Sequence, residues 1–224
     1  MLNETVVDTG PPVFQGTVAN ADFISGDALA SAIGLTAGVS INSTTSPWFH
    51  WIAHGRDLFV PQYALRWQIS WNAIYQVGAV HGTSGVGIPT NTTSPRSQNA
   101  MVTIADKVYR VRLLKGANTN PYQGFTTGHD IVSQQQSEWN ALWYPIIDDP
   151  NALSFTGEKQ AHYAIGAVWM TGTGGSASWV QEVNSTNASA ALSRGADGPS
   201  YAQANTTPSI ASSNYAWRPC LEST

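Results

Sequence analysis

Of the 224 residues only 24 are charged, 10 basic and 14 acidic, and this 11% compares with about 25% in an ordinary soluble domain. Ser, Thr, Asn and Gln, 69 residues in all, supply the wet surface instead, and a 42% hydrophobic fraction is enough for a packed core, which excludes wholesale disorder. A net charge of −4 with scattered basic residues excludes a phosphate-tracking surface, so no nucleic-acid partner is expected; the absence of any 18-residue apolar run leaves no membrane insertion to expect.

Along the chain, MLNETVVDTGPPVFQG has a Pro-Pro break, no sustained period and none of the basic-then-apolar order of a secretory signal. Residues 1–46 therefore read as an extended N-terminal arm. Within it ISGDALASAIGLTAG predicts a short helix docked on something larger, with Ser25 or Asp27 as N-cap and Gly34 or Gly38 as stop. From Trp48 the texture turns aromatic and β-branched. PWFHWIAH, a polar break at Gly55-Arg56-Asp57 and LFVPQ predict a β-hairpin. ALRWQISWNAIYQVGAV starts as an alternating strand (Leu65, Trp67, Ile69, Trp71) and becomes helix-like from Asn72 to Val80.

Residues 82–99 predict a loop, and MVTIADKVYRVRLL a second hairpin turning at Ala105-Asp106-Lys107. In SQQQSEWNALWYPII, Trp139, Leu142, Trp143 and Ile146 recur at helical spacing. Beyond Pro150 short strands (AHYAIGAVWM, SASWVQEV, AALSRG) alternate with Gly/Ser/Asn loops up to a closing YAWRPCLE. The fold class expected for 47–224 is α+β, with short helices, β-hairpins and long loops.

Taken in order, these segments resemble the C-type-lectin-like fold in the version shared by formylglycine-generating enzymes and phage variable adhesins. LRWQISWNAI is similar to that family's strand-to-helix Ser-Trp step; VRLLKGANT followed by SEWNALWYPI to its Arg-Leu-Pro-Thr segment and Glu-Trp helix; SWVQEV and LSRG to its Trp-Glu-Trp and Arg-Gly-Gly strands; YAWRPCLE to its closing strand. The chain also resembles a group of tailed-phage virion proteins. That likeness runs through ISGDALASAIGLTAG, PWFHWIAHGRDLFV, RWQISWN, VYRVRLLKGANTNPY, SEWNAL, WVQEV and YAWRPCLE, and departs at FVPQYALRW, where those proteins carry Lys-Lys-Pro. The resemblance implies a lectin-like domain at 47–224 and a virion location, with other virion proteins and copies of the chain as partners.

Chemistry finds little purchase in the sequence. Copper-dependent formylglycine generation uses two cysteines and this chain has one, Cys220, which also excludes a disulfide framework. Asp148-Asp149-Pro150 is the only acidic pair, too little for a calcium site. His50 and His54 read as solvent-facing residues on one strand face rather than metal ligands, and His129-Asp130 with Ser133 and Ser137 lacks the elbow that positions a nucleophile. Gly172 to Gly175 precedes a strand and reads as a turn; Glu138 and Glu182 read as structural anchors. No catalytic residue, metal or cofactor is expected.

Binding is what remains. Trp51, Trp71, Trp139, Trp169, Trp179 and Trp217 fall on core faces. The segment 197–214, DGPSYAQANTTPSIASSN, is expected on the ligand-facing side of a lectin-like fold, with Tyr201, Gln203, Asn205 and Asn214 as the receptor-binding surface. The low charge suits a subunit covered by neighbours, with the arm as its docking device. The expected function is that of a non-enzymatic virion structural protein, a tail fibre, appendage or surface component contributing to host adsorption. A capsid or tail decoration protein and a free glycan-binding module stay open beside it.

Overall fold

The computed structural model describes residues 10–122, 128–129, 137–143, 177–195 and 198–224. It is mostly β, built as two sheets with a few short helices. The first sheet is antiparallel, in the order β1 (Val13–Val18), β3 (Trp48–Ala53), β4 (Arg56–Pro61), β13 (Cys220–Ser223), β7 (Lys107–Arg112) and β6 (Met101–Ile104). The second runs β2 (Val39–Ser40), β5 (Arg66–Trp67), β12 (Tyr215–Trp217), β9 (Ala177–Val183), β10 (Ala191–Gly195), β11 (Gly198–Thr206) and β8 (Gly128–His129). Among the described strands its one parallel pair is β12 with β9.

Both expected hairpins form, and their turns are tighter than the polar runs in the sequence suggest. His54 and Gly55 turn the first at φ of 51° and 71°, Ala105 and Asp106 the second at 46° and 66°. Two consecutive left-handed residues match the twist of the flanking strands. Arg56, Asp57 and Lys107 are thereby released from the turns into strands.

Helix α1 (Gly26–Ala32) starts at Ser25, whose side chain accepts the Ala28 N–H, and stops before Gly34 at φ 73°. The expected alternating strand from Leu65 to Trp71 shrinks to Arg66–Trp67. Gln68 at φ 50° breaks it, Ser70 caps the next helix by accepting the Ala73 N–H, and α2 (Trp71–Gln76) begins earlier and ends sooner than its pattern implies. Helix α3 (Glu138–Trp143) matches the described part of the third helical pattern, with Trp139, Leu142 and Trp143 buried. No described helix is long and apolar enough to cross a membrane.

Three further expectations change. The segment read as an arm is built in over its described part, where β1 pairs with β3; α1 docks as expected, with Leu29, Ala30 and Leu35 in the main core. YAWRPCLE is two strands rather than one, because Arg218-Pro219 carries the chain from the second sheet into the first. The expected loop 197–214 is strand β11 through Thr206, with Ala202 and Ala204 fully buried. AHYAIGAVWM, Trp169, Gly172 to Gly175 and Asp148-Asp149-Pro150 lie outside the described residues.

The core falls into two clusters. One holds Trp48, Trp71, Trp179 and Trp217; the other holds Trp51, Trp139, Trp143, Val180 and Cys220. Strand β9 is buried at every position, with Trp179 and Val183 in the first cluster and Val180 in the second. A strand covered on both faces loses the polar alternation of a surface strand.

Candidate functional site

Polar chemistry concentrates where β7 leaves the first sheet. Arg110 and Arg112, two residues apart, share one face of the strand. The Arg112 guanidinium forks onto Glu138, donating from its two terminal nitrogens at 2.7 and 2.6 Å, and its Nε donates to Glu222 at 2.8 Å. Glu222 also accepts from Arg56 at 2.6 Å. The chain Arg56–Glu222–Arg112–Glu138 thus ties β4, β13, β7 and α3 together. Glu138 opens α3, where the helix end favours a negative charge, and Ser137 before it accepts the Asn140 N–H at 3.1 Å.

Burial sets the protonation of these groups and their neighbours. It opposes the charge on Arg112, but Cys220, Glu138 and Glu222 overcome it and raise the Arg112 pKa further. It pushes Glu138 up, and Arg112 with the Lys115 N–H more than reverses this, leaving the carboxyl below its ordinary range. Glu222 is lowered in the same way, burial being outweighed by Arg112 and Arg56. Burial drives the Cys220 thiol up to about 12 against the pull of Arg112, so it is no nucleophile.

A second buried carboxylate lies nearby. Glu182 accepts the Gly116 N–H at 2.9 Å, and Arg194 donates its Nε to the Gly116 carbonyl at 2.8 Å. Burial raises Glu182 to about 7, although backbone N–H groups and Arg194 hold it back. Both Glu138 and Glu182 therefore anchor backbone. Arg218, buried where the chain changes sheets, lies 4.7 Å above the Trp143 ring.

Around Arg112 opens a cleft of about 450 Å³. Arg110, Lys115, His54, His81, Ser137 and Gln181 line it together with Arg112, Glu138 and Glu222. Burial lowers His81 to about 4, and its Nε2 lies 3.2 Å from the Ile88 carbonyl. This cleft was not legible as a site in the sequence; the alternating Arg-Val-Arg of β7 is its only local signal.

The residues singled out earlier are dispersed. Tyr201 and Gln203 sit half-buried on alternate positions of β11, and Gln203 Oε1 accepts from Ser193 at 3.1 Å. The Asn205 side chain lies outside the described residues. Asn214 is exposed just before β12, three strands from β11 and so about 14 Å away across the sheet. His50 and His54 do not share a strand face: His54 is a turn residue, while His50 stays on β3, 2.8 Å from Asp57 and stacked on Phe59. The His129 side chain, Asp130 and Ser133 fall outside the described residues, and Ser137 serves as a helix cap. No protein-family model, no curated protein and no solved structure matches the chain.

Proposed function

We propose that the chain is a non-enzymatic structural protein of a tailed-phage virion, a lectin-like surface or appendage subunit that contributes to host adsorption. The observation that carries this reading is where the resembling segments lie. ISGDALASAIGLTAG is α1, PWFHWIAHGRDLFV is β3 and β4, SEWNAL is α3, WVQEV is in β9 and YAWRPCLE is β12 and β13. Segments far apart in sequence meet through their motif residues: Arg112 with Glu138 and Glu222, Gly116 with Glu182, Trp71 with the Val180 carbonyl. A likeness carried by positions that hold each other in place speaks for a shared framework. The low charge, 11% of residues, supports the same reading, since interface centres are depleted in charged side chains and a subunit covered by neighbours can dispense with them.

The test is mass spectrometry of gradient-purified particles, followed by adsorption assays with the soluble chain as competitor. The expected result is the chain present in many copies per particle, with adsorption slowed by the competitor and less so by its Tyr201→Ala variant. Absence from the particle overturns the reading. Presence without competition makes the protein a decoration subunit.

A further inference from the structure

The charged cleft contains cations that the scaffold does not use. Every donor bond of Arg112 is directed at Glu138, Glu222 or the Leu113 carbonyl. Arg110 differs. Glu222 faces it directly in the β13–β7 register, yet turns its carboxylate to Arg112 and Arg56. Arg110 is left with no hydrogen bond or ion pair among the described residues, and its Nε is buried. The Lys115 side chain, exposed at the same rim, likewise makes no hydrogen bond or contact ion pair among the described residues, although its charge helps to hold Glu138 ionised. Gly82 makes room for this arrangement: a Cβ there would lie 2.7 Å from Arg112 Cδ and 3.1 Å from Arg110 Cδ, so only a glycine lets both stems lie against the backbone.

We propose that this cleft binds the carboxylate of a small polyhydroxylated acid of the uronic type, with Arg110 as the forked contact and Lys115 as the second cation. A guanidinium presents two parallel donors that match a carboxylate, and the terminal nitrogens of the half-buried Arg110 have no partner until a ligand supplies one. Charge favours an anion here: Arg56, Glu222, Arg112 and Glu138 balance one another, which leaves Arg110 and Lys115 as two uncompensated cations in a chain of −4. A cleft of about 450 Å³ is sized for one sugar ring; in its walls the Ser137 hydroxyl, an acceptor for the Asn140 N–H, keeps its own proton to donate, and the Gln181 amide, whose nitrogen donates to the Leu113 carbonyl, keeps its oxygen to accept from a ring hydroxyl. The proposal does not depend on the virion reading, and the cleft lining does not include Tyr201 or Gln203.

Isothermal titration of the full chain with D-glucuronate, D-glucose and inorganic phosphate tests it, using wild type, Arg110→Gln, Lys115→Gln and Arg96→Gln, the last an exposed arginine outside the cleft. Glucuronate is expected to bind wild type and Arg96→Gln alike and glucose not at all. Affinity should fall about tenfold in Arg110→Gln and measurably in Lys115→Gln, with melting unchanged in both. Should Arg110→Gln fail to fold, the exposed Lys115 carries the comparison. No glucuronate binding, binding indifferent to both substitutions, or phosphate bound more tightly than glucuronate overturns the proposal.

Discussion

Glu138 and Glu182 grip successive amides of one stretch of chain. Lys115 N–H donates to Glu138 Oε2 at 2.9 Å, and Gly116 N–H donates to Glu182 Oε2 at 2.9 Å. The two carboxyls are nevertheless driven in opposite directions. Arg112 forks onto Glu138 and keeps it ionised, whereas burial dominates at Glu182 and favours its proton. One anchor is a salt bridge and the other behaves near neutrality as a half-protonated acid.

Acid should therefore weaken the Glu138 side of this clamp. A carboxyl with a lowered folded pKa contributes stability that is complete above the ordinary glutamate value near 4.5 and is lost as pH falls through the folded value; Glu222 adds to it with the same sign. Urea midpoints should drop steeply only below about pH 4.5, in measurements taken down to about pH 3. Glu138→Gln should flatten part of that drop and cost about 3 kcal/mol at neutral pH, because the buried Arg112 loses one of its two carboxylate partners and keeps only Glu222.

Glu182 gives the reverse dependence. Its folded pKa of about 7 lies above the ordinary value of 4.5, so between them the folded state holds a proton that the unfolded chain has released. Stability from this group is complete below that ordinary value, falls as pH rises through the window, and levels off above the folded pKa. The span is on the order of 3 kcal/mol. Glu182→Gln should remove this slope and be more stable than wild type at alkaline pH; an unchanged slope in urea titrations would show that Glu182 titrates normally.

Gly116→Ala tests the packing between these anchors. A Cβ at Gly116 would stand 2.5, 2.9 and 3.0 Å from the side-chain carbons of Val180, a fully buried residue with a stiff χ1. The expected cost is about 1–3 kcal/mol from overpacking. Combining it with Val180→Ala should cost less than the two separate losses together, and thermal unfolding of the four proteins in the cycle measures the coupling.

Two tryptophans clasp the β5–α2 segment to β9. Trp71 Nε1 donates to the Val180 carbonyl at 2.9 Å, and Trp179 Nε1 donates to the Ile69 carbonyl at 2.7 Å. Trp179→Phe should cost at least about 1–3 kcal/mol, since the Ile69 carbonyl loses its indole donor in a dry site. Comparison with Trp67→Phe, at a half-buried strand position, separates this loss from the general effect of removing an indole.

Local chemistry was legible in the sequence and long-range pairing was not. Ser25, one of the two caps offered with Asp27, starts α1, and the 139/142/143 spacing declared the buried face of α3, because caps and periods involve neighbours. Strand β1 was hidden behind Pro11-Pro12 and the register shift between Phe14 and Gly16. β11 was hidden by its small residues: Ala202 and Ala204 fill a tight core place where a reader expects Val or Ile. The cleft was invisible because its members meet only after folding, Arg112 lying 110 residues from Glu222 and Arg56 lying 166 from it. Pairing of that kind depends on topology, which residue types do not encode locally.

The sheet change at Arg218-Pro219 governs the order of assembly during synthesis. It inserts β13 between β4 and β7, so the centre of the first sheet is made from residues 220–223. Asp57 N–H, in β4, donates to Ser223 Oγ across 166 residues. On the ribosome the two hairpins can form as they emerge, but they remain separate halves until Ser223 has cleared the exit tunnel. Joining them waits on β13, and until it arrives the nascent chain carries two open strand edges, a matched pair of aggregation hazards that need shielding.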